Sequence, residues 1–155
     1  MTLRIERDPE FWCSIAAHPD VGPRVLHGLP PESLGALVVH ASVTPLAGIN
    51  GGFLLRNLDG LGFVNELHSL FLPGAWGREV TEASWEMYAI AFKQGQILIT
   101  SQQRDWWRSA PPRSHGWRSA VDYRATPLGE LRIWILTPDA LEASPAAIRR
   151  RGKCQ

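Results

Sequence analysis

The stretch Phe63-Val64-Asn65-Glu66-Leu67-His68-Ser69-Leu70-Phe71-Leu72-Pro73-Gly74-Ala75-Trp76-Gly77-Arg78-Glu79-Val80 carries an apolar strand through a Pro-Gly turn into a helix. From Gly77 to Gln94 the period changes. Val80, Ala83, Met87, Ile90 and Ala91 recur at helical spacing, and Gly95 follows as a C′ residue suited to the left-handed conformation. A helix entered through such a turn leaves its first backbone N–H groups unpaired, and together with the helix dipole they favour a phosphate. Trp85, Tyr88 and Phe92 form a second apolar stripe on the same helix. It either packs on elements of the same chain or meets another subunit, so a homodimer is one of two readings.

Upstream, Leu3-Arg4-Ile5 reads as a short strand and Asp8-Pro9-Glu10 as the start of a helix that buries Phe11, Trp12, Ile15 and Ala16. Val21 to His27 reads as a second helical turn. The runs Ala36 to Val43, Ile49 to Arg56 and Leu61 to Leu72, separated by Pro, Gly and Asn-Leu-Asp-Gly signals, predict an antiparallel meander. Downstream, Gln96 to Thr100 is a continuously apolar strand suited to a sheet interior. Arg104 to Ser109 reads as a brief helix cut off by Pro111-Pro112. Trp117 to Tyr123 and Leu131 to Leu136 are two further strands, and Thr137-Pro138-Asp139 starts a C-terminal helix. The organisation expected is one domain over residues 1–148 followed by a basic, solvated tail over 149–155.

At 155 residues, with 45% hydrophobic and 20% charged residues, the chain suits a single domain with a real core. A formal net charge of +1 argues against coating nucleic acid or an anionic membrane. Between Arg104 and Arg124, arginines interleave with Trp106, Trp107 and Trp117. Such a mixture holds a nucleotide or single strand, or is a solvated face whose arginine stems cover tryptophans. Cys13 and Cys154 have no CxxC spacing and read as free thiols, which fits a cytoplasmic protein. No apolar run approaches a membrane span, and the histidines lack ligand spacing, so no metal is expected.

The order strand, two helices, three antiparallel strands, long helix, strand, short helix, two strands resembles the GNAT superfamily of N-acetyltransferases over nearly the whole chain. The Glu66-Leu67-His68 strand running into Pro73, with Arg78 after Gly77, is similar to the phage- and prophage-type members. The resemblance implies an α/β (α+β) fold, a mixed and mostly antiparallel sheet of about seven strands flanked by helices. It also implies an acyl-CoA site between splayed fourth and fifth strands. Acetyl-CoA would then be the cosubstrate and an amine, on a small molecule or a protein, the acceptor. The cofactor-binding residues implied are Ser69, Leu70, Phe71 and Leu72 on the fourth strand, Trp76, Gly77, Arg78, Glu79, Val80 and Thr81 in the loop, and Asp105 downstream. An oxyanion donor is implied near Ser69 or Leu70. Glu79 stands where the family usually has a second glycine, so its charge would repel the pyrophosphate. The family's general-acid tyrosine falls on Pro112.

Transfer of an acetyl group from a thioester to an amine needs a base for the amine proton, donors for the oxyanion and an acid for the thiolate. Glu66 and His68 are two apart on a strand, so their side chains share one face. Glu66 is the first candidate base and His68 the second, with Arg56 an alternative structural partner for either. Tyr123 is the candidate acid if its strand faces the cleft. A GNAT-shaped binding or structural module without catalysis, of phage or prophage origin, remains the alternative.

Overall fold

The computed structural model describes residues 2–94, 97–104, 110–127 and 129–153. The expectations for Gly95, for Asp105 and the Arg104 to Ser109 helix, for Trp106 and Trp107, and for Cys154 lie wholly or largely outside them.

Strand β1 (Arg4–Ile5) leads into α1 (Pro9–Ala16), α2 (Gly22–Val25) and α3 (Glu32–Val38). The meander β2 (Val43–Ala47), β3 (Gly51–Asn57) and β4 (Val64–Phe71) follows, then α4 (Arg78–Ala91), β5 (Ile97–Gln103), β6 (Arg118–Thr126), β7 (Gly129–Leu136), α5 (Pro138–Glu142) and α6 (Pro145–Gly152). The strands form one seven-stranded sheet in the order β1-β2-β3-β4-β5-β7-β6. Every pairing is antiparallel except β4 with β5.

Alternation along the strands sorts the core onto the two faces of the sheet. Phe53, Leu55, Leu67, Phe71 and Leu98 meet Ala83, Met87 and Tyr88 of α4. Leu54, Leu70, Val43 and Ala47 meet Trp12, Ile15 and Val38 of α1 and α3. Asp8 caps α1 by accepting the Glu10 N–H at 2.9 Å, and the indole N–H of Trp12 donates to Glu6 O at 2.7 Å. That bond lets the fully buried ring keep its polar atom satisfied.

Two expectations are corrected. Ala36 to Val43 is not a strand: Pro31 and Glu32 start α3, whose buried Leu34, Gly35 and Val38 follow helical spacing, and β2 begins only at Val43. Gly35 is the reason α3 lies so close to α1, because a Cβ there would stand 3.1 Å from Pro9 Cβ. The basic residues Arg149, Arg150 and Arg151 are solvated as expected but form the last turn of α6 rather than a loose tail. Ser144 caps that helix through the Ala147 N–H at 3.2 Å, and three cations at its C-terminal end suit its dipole.

Candidate active site

Among the described residues, parallel pairing between β4 and β5 covers Val64 with Ile97, Asn65 with Leu98 and Glu66 with Ile99, after which the strands part. Thr100 marks the divergence, its hydroxyl donating to Leu67 O at 2.8 Å. On the other side β4 stays in unbroken register with β3 from Asn65 to Phe71. The Ile97 N–H donates to Phe63 O and the Leu72 N–H to Asn50 O, which fixes the parity of β4. Odd-numbered residues direct their backbone groups toward β5 and even-numbered ones toward β3. Beyond the divergence, the N–H and C=O groups of Ser69 and Phe71 therefore face the opening. Those of Leu70 and Leu72 face β3, so of the two expected oxyanion donors only Ser69 points into the gap.

The loop after β4 makes a single turn at Pro73–Ala75 and enters α4 through Gly77, whose φ of 104° is the left-handed side that glycine adopts without a Cβ penalty. No side chain caps α4. Thr81 is excluded as a backbone donor, because both its N–H, at 3.1 Å, and its hydroxyl, at 2.7 Å, go to Gly77 O. The first-turn N–H groups of Arg78, Glu79 and Val80 remain as the dipole-end donors.

Glu79 does not reach into that cradle. Its carboxylate accepts the Asn50 backbone N–H at 3.1 Å and the Asn50 side-chain amide at 2.9 Å, tying α4 to the β2–β3 turn. Its charge is therefore spent on a structural contact rather than aimed at an incoming phosphate. Arg78 is exposed and pairs along the helix with Glu82 at 2.7 Å.

Glu66 and His68 share a face as their spacing predicts. Glu66 Oε2 lies 3.1 Å from His68 Nε2 and 3.7 Å from Arg56 Nη1. The hydrogen bond from His68, then the charges of His68 and Arg56, hold the Glu66 carboxyl below its ordinary range against the opposing effect of burial. His68 lines a small chamber of about 110 Å³ with Leu67, Ser69, Trp76 and Thr100. On the α4 side of the same gap is a slot of about 100 Å³, which Leu67, Ser69, Trp76 and Thr100 also line, together with Val80, Tyr88 and Pro112. A third, open groove of about 680 Å³ between the α1–α3 helices and the end of β5 shares His27 and Gln103 with the chamber. Groove, chamber and slot thus lie in sequence, and half-exposed Trp76 stands at the joint between the last two.

Tyr123 is not brought to this gap. It lies on the edge strand β6 between the guanidinium groups of Arg104, at 4.7 Å, and Arg132, at 4.5 Å. Three strand spacings separate β6 from β4, about 14 Å. Sequence reading passed over a second tyrosine that does line the slot. Tyr88 accepts the Trp117 indole N–H at 3.0 Å and lies 3.2 Å from His115 Nδ1. Burial pushes its hydroxyl up to about 12. The helical stripe that contains Tyr88 was the available signal, but nothing in it marked the residue as facing a cavity. His27 was also missed. Among the described residues no group of three or more His, Cys, Asp or Glu side chains could hold a metal ion, and no helix is long and apolar enough to cross a membrane.

Splayed parallel strands beside an uncapped long helix define the GNAT acetyltransferase fold, and the chain has that fold. No family model and no curated protein matches the sequence. Solved structures do. A GNAT-family acetyltransferase from Bacillus anthracis superposes with a TM-score of 0.63 at 15% identity, over 88% of this chain and 94% of that one. Aminoglycoside acetyltransferase AAC(6')-Ib, in complex with coenzyme A and kanamycin, gives 0.67 at 16% identity, over 91% and 96%. Spermidine N-acetyltransferase from Vibrio cholerae, in complex with CoA and spermine, gives 0.65 at 11% identity, over 90% and 96%.

Proposed function

We propose that the protein is an N-acetyltransferase that moves the acetyl group of acetyl-CoA onto an amine. The observation that carries this reading is the opening of β4 away from β5 directly beside the uncapped start of α4. The pantetheine arm would pair with the Ser69 and Phe71 backbone, and the pyrophosphate would take the N–H groups of Arg78, Glu79 and Val80. Gly77 lets the chain approach closely there: a Cβ would meet nothing within 4 Å, so the space belongs to solvent or ligand. CoA in the AAC(6')-Ib and Vibrio cholerae structures supports the same use of the fold.

The amine nitrogen attacks the thioester carbonyl, the Ser69 N–H receives the developing oxyanion, and the C–S bond then breaks to release the thiolate. A carboxylate whose pKa is lowered is a weak proton acceptor, and His68 rather than Glu66 lines the chamber. His68 with its ring neutral is therefore the base that takes the amine proton, and Glu66 positions the ring through the 3.1 Å contact and steadies the imidazolium that forms. We place the protein in the cytoplasm, where the free Cys13 thiol stays reduced.

One observation favours the alternative, a module without catalysis: the slot holds only about 100 Å³, with Trp76 at one end and Pro112 in its wall. Thermal unfolding with and without millimolar acetyl-CoA separates the two. A ligand at a hundred times its dissociation constant adds about 2.7 kcal/mol, which moves the midpoint by several degrees in a chain of this size. The acetyltransferase reading expects that shift, whereas an unchanged midpoint would favour the module.

A further inference from the structure

The outer groove sets the chemical class of the acceptor. Its walls come from Ala17, Pro19, Pro23, Leu26, Leu29 and Pro31, and its polar groups are His18, His27 and Gln103. No Asp, Glu, Lys or Arg is among the described residues that line it. Two acids adjoin lining residues along the chain, Asp20 after Pro19 and Glu32 after Pro31; both are exposed, and Asp20 faces His18 at 3.9 Å.

We propose that this groove holds the body of the acceptor and that the acceptor is a primary amine with an apolar, uncharged body, such as an arylalkylamine. The inference rests on the acyl-transfer reading above and goes beyond it by naming the substrate class. A polyamine or aminoglycoside brings several ammonium groups, and each one lodged against proline and leucine walls loses hydration without gaining a carboxylate. An apolar body gains in proportion to the area that it removes from water. The reactive amine must still reach Ser69 through the chamber of about 110 Å³. That space admits an aminoalkyl arm and leaves the bulk of the acceptor outside.

His27 stands at the passage between groove and chamber. Its φ of 49° is in the left-handed region, uncommon for any residue but glycine, and it is followed by Gly28 at 86°. Its Nδ1 lies 2.9 Å from Gln103 Nε2 on β5, so the contact holds the loop after α2 against the sheet. Held there by Gln103, the His27 ring is placed where it contacts whatever passes from groove to chamber.

The test compares kcat/KM, read as acetyl-CoA-dependent thiol release, for phenethylamine, spermidine and kanamycin. It is run on the wild type and on Leu29→Glu, whose side chain is exposed enough for the change not to threaten folding. The wild type is expected to prefer phenethylamine by about tenfold or more, and Leu29→Glu to narrow that ratio at least several-fold. CoA affinity, measured by calorimetry on both proteins, should not move. Preference for spermidine or kanamycin, a ratio unaltered by Leu29→Glu, or no release from any of the three while CoA binds would overturn the acceptor class alone. Absent CoA binding would instead remove the acyl-transfer reading and the inference with it.

Discussion

The contact of His68 Nε2 with Glu66 Oε2 is what a period of two on a strand can deliver, and it was legible in the sequence because it needs only one element. Replacing Glu66 by Gln should lower kcat while leaving the dissociation constant of CoA within about twofold. Replacing His68 by Gln should cost kcat about a hundredfold or more, in steady-state assays of both variants. Full activity in His68→Gln would remove it as the base. His115 gives a pH prediction. Burial first, then the charge of Arg149, lower its pKa from 6.5, so it folds neutral. A depressed pKa means that the unfolded chain binds the proton first as pH falls below 6.5. The stability from neutral His115 is thus complete above that pH and is lost as pH falls through the folded-state value. In pH-dependent melts the wild type should lose stability across that acidic window, and His115→Phe should lose less. What single-residue reading could not supply was the environment of each side chain. Tyr88 and Tyr123 are equally plausible acids as residue types, but only the sheet order shows that one lines the slot and the other lies on the far edge strand.

Helix α4 enters through Gly77 and is tied at its first turn by Glu79, and the two residues make separable predictions. Gly77→Ala forces a side chain into a φ of 104°, costing about 1–2 kcal/mol by chemical denaturation even though the added methyl meets no neighbour. Glu79→Ala removes two hydrogen bonds to Asn50 and should cost about 1–3 kcal/mol. Because the carboxylate already faces Asn50, Glu79→Ala should leave CoA affinity nearly unchanged in calorimetry. A large tightening would restore the repulsive role that the loop sequence alone suggests. The helix itself was readable from Val80, Ala83, Met87 and Ala91. The partner of Glu79 was not, since it lies 29 residues away in a turn that the sequence marks only as Asn-Gly. The α3 region failed for a different reason. Ala36 to Val39 is a short apolar run, which periodicity cannot assign between strand and buried helix, and the packing of Gly35 on Pro9 decided it.

At the scale of the molecule, turn chemistry and periodicity carried the order of strands and helices, whereas the sheet and the position of the gap came only from the family that this order resembles. The line of groove, chamber and slot came from neither. It arises where α2, β4, β5 and the segment around Pro112 converge, and these are far apart along the chain. The gap also makes a stability prediction. Leu70, on β4, is fully buried against the α1 and α3 side, so Leu70→Ala should cost about 2–5 kcal/mol in chemical denaturation. Ser69, its exposed neighbour at the opening, should tolerate Ala with little loss, because the backbone rather than the hydroxyl faces the substrate. The most direct measurement of the central claim is a crystal structure of the protein with acetyl-CoA. The account predicts the thioester carbonyl on the Ser69 N–H, the pantetheine arm along Ser69 and Phe71, and the pyrophosphate on the N–H groups of Arg78, Glu79 and Val80. Acetyl-CoA bound anywhere else, with the gap between β4 and β5 empty, would contradict it.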